Sequence, residues 1–163
     1  MPESWVINAS PVILLAKAGL IQRVPLLIET LVIPEPVVTE ILNYSEKDAA
    51  AAWLEGEGKQ FVRPPIAESR RLLSSGIGLG ERAVISFAIA NPGFVAVLDD
   101  LEARAVAQRL GVKTAGTVGV ILRLKKAGLI PEAKEYLQRL RKIGGYMSDD
   151  LFREALRQAG ENL

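Results

Sequence analysis

VAVLDDLEARAVAQRL, residues 95–110, is the stretch that decides the fold. Val95-Ala96-Val97-Leu98 is an apolar run with no polar residue; it stops on Asp99-Asp100, and a helix-period stretch follows over 101–110. Such a run is too short for a helix and too apolar for a half-solvated strand, so it reads as a strand buried on both faces. The same alternation recurs along the chain. Strands are expected near 4–8, 31–34, 60–63, 95–98 and 112–114. Helices are expected near 11–18, 35–43, 46–57, 66–74, 79–90, 101–110, 116–127, 131–143 and 148–159. Parallel strands covered by helices on both faces give an α/β fold, a doubly wound sheet of about five strands. No linker stands out, so residues 1–163 read as one domain with a helical tail at 147–163.

Two kinds of boundary have a local mechanism. Ser10-Pro11 offers an N-cap hydroxyl and then a proline at the first helical position, where its missing N–H is harmless. Lys17-Ala18-Gly19-Leu20-Ile21 and Lys126-Ala127-Gly128-Leu129-Ile130 are near-identical, and glycine after a basic last turn stops a helix. Nothing around the two copies matches, so they are two helix ends solved alike rather than a duplication.

With 163 residues, 49% of them hydrophobic, the chain can bury a real core. Its longest apolar stretches are broken by Lys17, Pro25, Pro34 or Asp99, far short of the ~20 residues that cross a bilayer. The amino terminus lacks a signal-peptide pattern, so a cytoplasmic protein with no membrane partner is expected. There is no histidine and no cysteine. That excludes Ser-His-Asp catalysis, thiolate nucleophiles and the usual structural zinc sites, and leaves oxygen-ligand chemistry. The net charge of +1 conceals an asymmetry: residues 101–142 hold ten Lys/Arg against three Glu, a net of +7 that leaves −6 for the rest. Arg104, Arg123, Lys125 and Lys126 belong to this flank, which suits phosphate binding beside an acidic site. Solvated helix faces are the plainer reading.

Carboxylates or an amide stand where apolar elements begin or end. Asp99 follows its strand, at the carboxyl end where open α/β sheets bind ligands. With Glu102 three residues on, it also resembles a capping box. Glu81 shares a helix face with Val84, Ile85, Ala88 and Ile89, so its carboxylate points inward from a first turn, where the helix dipole alone would favour an acid. Glu40 lies at the margin of the face made by Val37, Val38, Ile41 and Leu42, and gains weight only by association. Asn8 ends the first strand; if winding reverses there, strands 1 and 4 are neighbours and Asn8 lies beside Asp99. Gly76-Ile77-Gly78-Leu79-Gly80 imitates a dinucleotide fingerprint. No strand precedes it, and Glu81 would stand where a pyrophosphate must sit.

Taken together, WVINASP at 5–11, Glu40 in VVTEIL, Glu81 in LGERAV and Asp99 in VLDD resemble the ordered motifs of the PIN domain superfamily. GTVGVILRLKKAGLI at 116–130 and MSDDLFREAL at 147–156 extend the resemblance over essentially the whole chain, closest to compact prokaryotic PIN-like proteins described as predicted nucleic-acid-binding proteins. The resemblance implies a three-layer α/β/α fold and a Mg2+- or Mn2+-dependent endoribonuclease. It implies Glu40, Glu81 and Asp99 as metal ligands, direct or through water, with Ser10 orienting the site and Asp100 as an auxiliary acid. RNA is the implied substrate; the toxin role of many small members would add an antitoxin partner, and many self-associate as homodimers. This chain departs from the pattern at Asn8, where an aspartate is usual. An amide oxygen still coordinates a hard cation, but the site loses one negative charge and its best candidate base. The alternative is therefore a non-catalytic module that binds nucleic acid or a protein.

Overall fold

The computed structural model describes residues 2–144 and 147–163. Five strands, β1 (Ser4–Ile7), β2 (Thr30–Pro34), β3 (Val62–Arg63), β4 (Phe94–Val97) and β5 (Thr114–Ala115), form one parallel sheet in the order β3-β2-β1-β4-β5. Winding reverses between β1 and β4, which pair in register with Ile7 opposite Val97. The ladder runs one residue past each strand: Asn8 N–H donates to Val97 O at 3.1 Å, and Leu98 N–H to Ala115 O at 2.8 Å. Asn8 is thus held at the crevice where winding reverses, and Leu98 is held one residue short of Asp99 there.

Helices cover both faces of the sheet in three layers: α1 (Ala9–Lys17), α2 (Val24–Leu27), α3 (Glu35–Asn43), α4 (Asp48–Glu55), α5 (Leu79–Ala90), α6 (Leu101–Arg109), α7 (Thr117–Lys126), α8 (Lys134–Lys142) and α9 (Asp149–Gln158). The central strand explains its own composition. Trp5, Val6 and Ile7 are fully buried, because helices press on both sides of β1. Each such side chain contributes about 1.5–3 kcal/mol by leaving water. Among the described residues, no single helix is long and apolar enough to cross a membrane.

The two KAGLI copies end their helices identically. Gly19 and Gly128 take positive φ, +79° and +75°. The following leucine N–H reaches back to the carbonyl five residues earlier, Leu20 to Leu15 at 2.8 Å and Leu129 to Leu124 at 2.9 Å.

Several expectations need correction. The helix expected at 66–74 is absent: that segment is irregular except for a 3₁₀ turn at Arg70–Leu72. Leu72 alone of its RRLL run is buried while Leu73 is exposed, so no apolar face exists to dock. The strand near 60–63 shrinks to Val62–Arg63, because Glu57–Phe61 is a 3₁₀ helix. The strand near 112–114 moves to Thr114–Ala115, and the helix near 131–143 starts only at Lys134, beyond Pro131. A 3₁₀ turn at Ile21–Arg23 and the short α2 were not anticipated. Ser10 does not cap α1. The chain turns directly out of β1, so Asn8 is the N-cap and Pro11 falls third in the helix, still among the positions whose N–H has no helical partner.

Candidate metal centre and nucleic-acid cleft

In a doubly wound sheet, each strand's carboxyl end leads into a helix amino terminus. Here the starts of α1, α5 and α7 border one cleft of about 1150 Å3, which Asn8, Ser10, Glu40, Glu81, Asp99 and Thr117 all line. Helix amino termini favour carboxylates, which helps this site tolerate several acids together.

Asn8 is 7% exposed, and its Oδ1 is buried with no hydrogen-bond partner among the described residues. The local sequence supplies a reason. An N-cap asparagine ordinarily accepts from the backbone N–H of the second or third helical residue. The third is Pro11, which has none, and the Asn8 side chain makes no capping bond. A buried acceptor left in this way costs about 1–3 kcal/mol.

Asp99 is the best-held acid. Its Oδ2 accepts from the Ser10 hydroxyl at 3.0 Å and the Thr117 hydroxyl at 2.8 Å, and its Oδ1 accepts from Thr117 N–H at 2.8 Å. It caps no helix. The capping alternative belongs to its neighbour: Asp100 is the N-cap of α6 and accepts from Ala103 N–H at 2.9 Å.

Glu40 and Glu81 are both tied to the start of α5. Glu40 Oε1 accepts from Gly80 N–H at 2.8 Å, and Glu81 Oε1 accepts from Gly78 N–H at 3.0 Å. Gly80 admits this approach because it has no side chain. A Cβ there would stand 2.6 Å from the Glu40 carboxylate. Burial pushes the Glu81 carboxyl above the ordinary glutamate range; the Gly78 N–H opposes this, and the negative charges of Asp100, Glu40 and Glu102 add to it. These acids therefore share one electrostatic environment. Among the described residues, however, no three acidic side chains stand close enough to grip one ion directly.

The cations expected to contact nucleic acid divide. Arg104 and Arg123 line the cleft. Lys125 binds Glu161 at 2.8 Å and Ala159 O at 3.1 Å, tying down the chain after α9, and the exposed Lys126 does not border the cleft. Thr117 and Gly80 escaped the sequence reading. The only signal for Thr117 was its place after a strand, where Asp99 also stands.

A family model described as a PIN domain matches residues 4–161. No curated protein and no solved structure matches the chain.

Proposed function

The chain belongs to the PIN domain family, and from that premise we propose that it is a Mg2+- or Mn2+-dependent endoribonuclease acting in the cleft between α1, α5 and α7. The observation that carries this reading is the unpartnered buried Oδ1 of Asn8, an acceptor lining one cleft with Glu40, Glu81 and Asp99. The donor set is entirely oxygen, which suits a hard divalent cation. Asn8, Glu40, Glu81 and Asp99 would hold it, and the separation of the acids favours contacts made partly through water. A bound divalent cation supplies charge neutralisation at the phosphate and lowers the pKa of water.

The chain's own groups have distinct roles in this scheme. Ser10 and Thr117 fix the rotamer of Asp99. The Gly78 and Gly80 N–H groups fix Glu81 and Glu40. Asp100, committed to capping α6, acts through its charge. Manganese-dependent cleavage of a mixed RNA pool, lost in both Glu81→Ala and Asp99→Ala, is the expected result; cleavage surviving in both variants contradicts the assignment. Toxin activity is one form such a ribonuclease takes. Its test is growth arrest on expression, relieved by Asp99→Asn and by a co-expressed antitoxin.

Asn8 favours a second reading, a module that binds RNA or a partner protein without cutting, because the neutral amide removes one of four negative charges. It predicts salt-dependent RNA binding with no cleavage in Mn2+.

A further inference from the structure

Three cations line the cleft, and two already have partners. Lys17 Nζ lies 2.6 Å from Glu46 Oε2 and 5.6 Å above the Tyr44 ring. Arg123 lies 3.5 Å from the Glu3 carboxylate and 5.9 Å over Trp5. Among the described residues, the half-buried Arg104 has no ion-pair partner. Its place is also unfavourable locally. It is the fourth residue of α6, with its N–H on Asp100 O at 3.0 Å, and a cation in a first turn opposes the helix dipole. The guanidinium is nevertheless brought near one of the acids, Asp99. A single point, where a Cβ on Gly116 would stand, lies 3.2 Å from Arg104 Nη1 and 3.3 Å from Asp99 Oδ1.

We propose that Arg104 is a catalytic residue that seats the scissile phosphodiester beside Asp99. This rests on the nuclease reading. A guanidinium presents paired N–H donors that match two phosphate oxygens, which an ammonium cannot do. Arg104 binds the non-bridging oxygens and neutralises the charge that grows on them. Meanwhile water oxygen bonds to phosphorus and the bridging P–O bond breaks, the attacking water giving up a proton and the departing oxygen taking one. The competing role is a counter-charge that merely relieves repulsion among Glu40, Glu81 and Asp99.

The test is steady-state cleavage of one RNA oligonucleotide in Mn2+ by wild type, Arg104→Gln and Arg104→Lys, with Mn2+ affinity measured separately by titration. The expected result is a 10²–10³-fold loss of kcat in Arg104→Gln, the scale for removing one donor to transition-state charge. KM should stay within about threefold, and Arg104→Lys should recover less than a tenth of kcat. A raised KM and a salt dependence shallower by about one, with kcat intact, overturns the proposal in favour of general phosphate attraction. Tighter Mn2+ binding with kcat intact overturns it in favour of the counter-charge. Absence of cleavage by wild type defeats the nuclease reading and this proposal with it, an outcome distinct from both.

Discussion

Thr117 holds Asp99 at both carboxylate oxygens, donating its backbone N–H to Oδ1 and its hydroxyl to Oδ2, each at 2.8 Å. Because Asp99 stands at the end of β4 and Thr117 at the start of α7, this pair joins the two elements that border the cleft on one side. The hydroxyl can be removed while the N–H stays.

Thr117→Val should therefore leave the fold intact and loosen Asp99. Mn2+ affinity or cleavage should fall 10–100-fold, as when a group supporting a metal ligand is lost, and Thr117→Ser should restore most of it. Isothermal titration with Mn2+ checks this. Unchanged affinity and cleavage in the valine variant would show that the hydroxyl bond does no positioning.

Gly80→Ala separates stability from function. Alanine is the better helix former by about 1 kcal/mol, yet its Cβ would stand 2.6 Å from the Glu40 carboxylate. The flexible end of Glu40 can swing away at small cost. Thermal stability should stay within about 1 kcal/mol of wild type while cleavage drops at least tenfold, matching Glu40→Gln. Full activity in Gly80→Ala would remove Glu40 from the site.

Glu81→Gln should raise thermal stability. The folded state holds this carboxyl above its ordinary range, through burial and then through neighbouring acids, so ionisation favours the unfolded chain once pH exceeds the ordinary glutamate value. Glutamine still accepts the Gly78 N–H and carries no charge. A higher melting temperature is expected at pH 7, the gain vanishing as pH falls below the ordinary glutamate pKa, with cleavage lost. A lower melting temperature at pH 7 would contradict the electrostatic account.

Glu161 has the opposite sign. Burial raises its pKa, but Lys125 and the N–H groups of Ala133 and Lys134 outweigh this and hold it below the ordinary range. Its stabilisation is thus fully present above the ordinary glutamate pKa and fades as pH falls through the folded value. Glu161→Gln should cost about 2 kcal/mol at pH 7 and progressively less in acid. Urea unfolding at pH 7 and pH 3 checks this; an equal penalty at both would show that charge plays no part.

The parallel sheet and the pairing of strands 1 and 4 were legible because the central strands are written as short apolar runs, and the step from Val95–Leu98 to Asp99 located the crevice. Local sequence misplaces the start of α1, because Ser10-Pro11 satisfies a capping rule, whereas β1 ends at Ile7 and forces the turn onto Asn8. Glu40, Glu81 and Asp99 drew notice as acids at the margins of apolar elements. Thr117 and Gly80 did not, because their importance comes from contacts 18 and 40 residues away, while locally they look like ordinary turn and helix-start chemistry. Lys125 reads as part of the basic flank because nothing nearby in sequence announces its pairing with Glu161.

Cleavage of a mixed RNA pool in Mn2+ or EDTA by wild type, Asn8→Asp and Asp99→Asn tests the central claim most directly. The account predicts that wild type cuts in Mn2+ and stops in EDTA, that Asp99→Asn is inactive, and that Asn8→Asp cuts faster because a fourth carboxylate joins the site. Cutting by Asn8→Asp alone would contradict it and leave a nuclease fold that binds without cleaving.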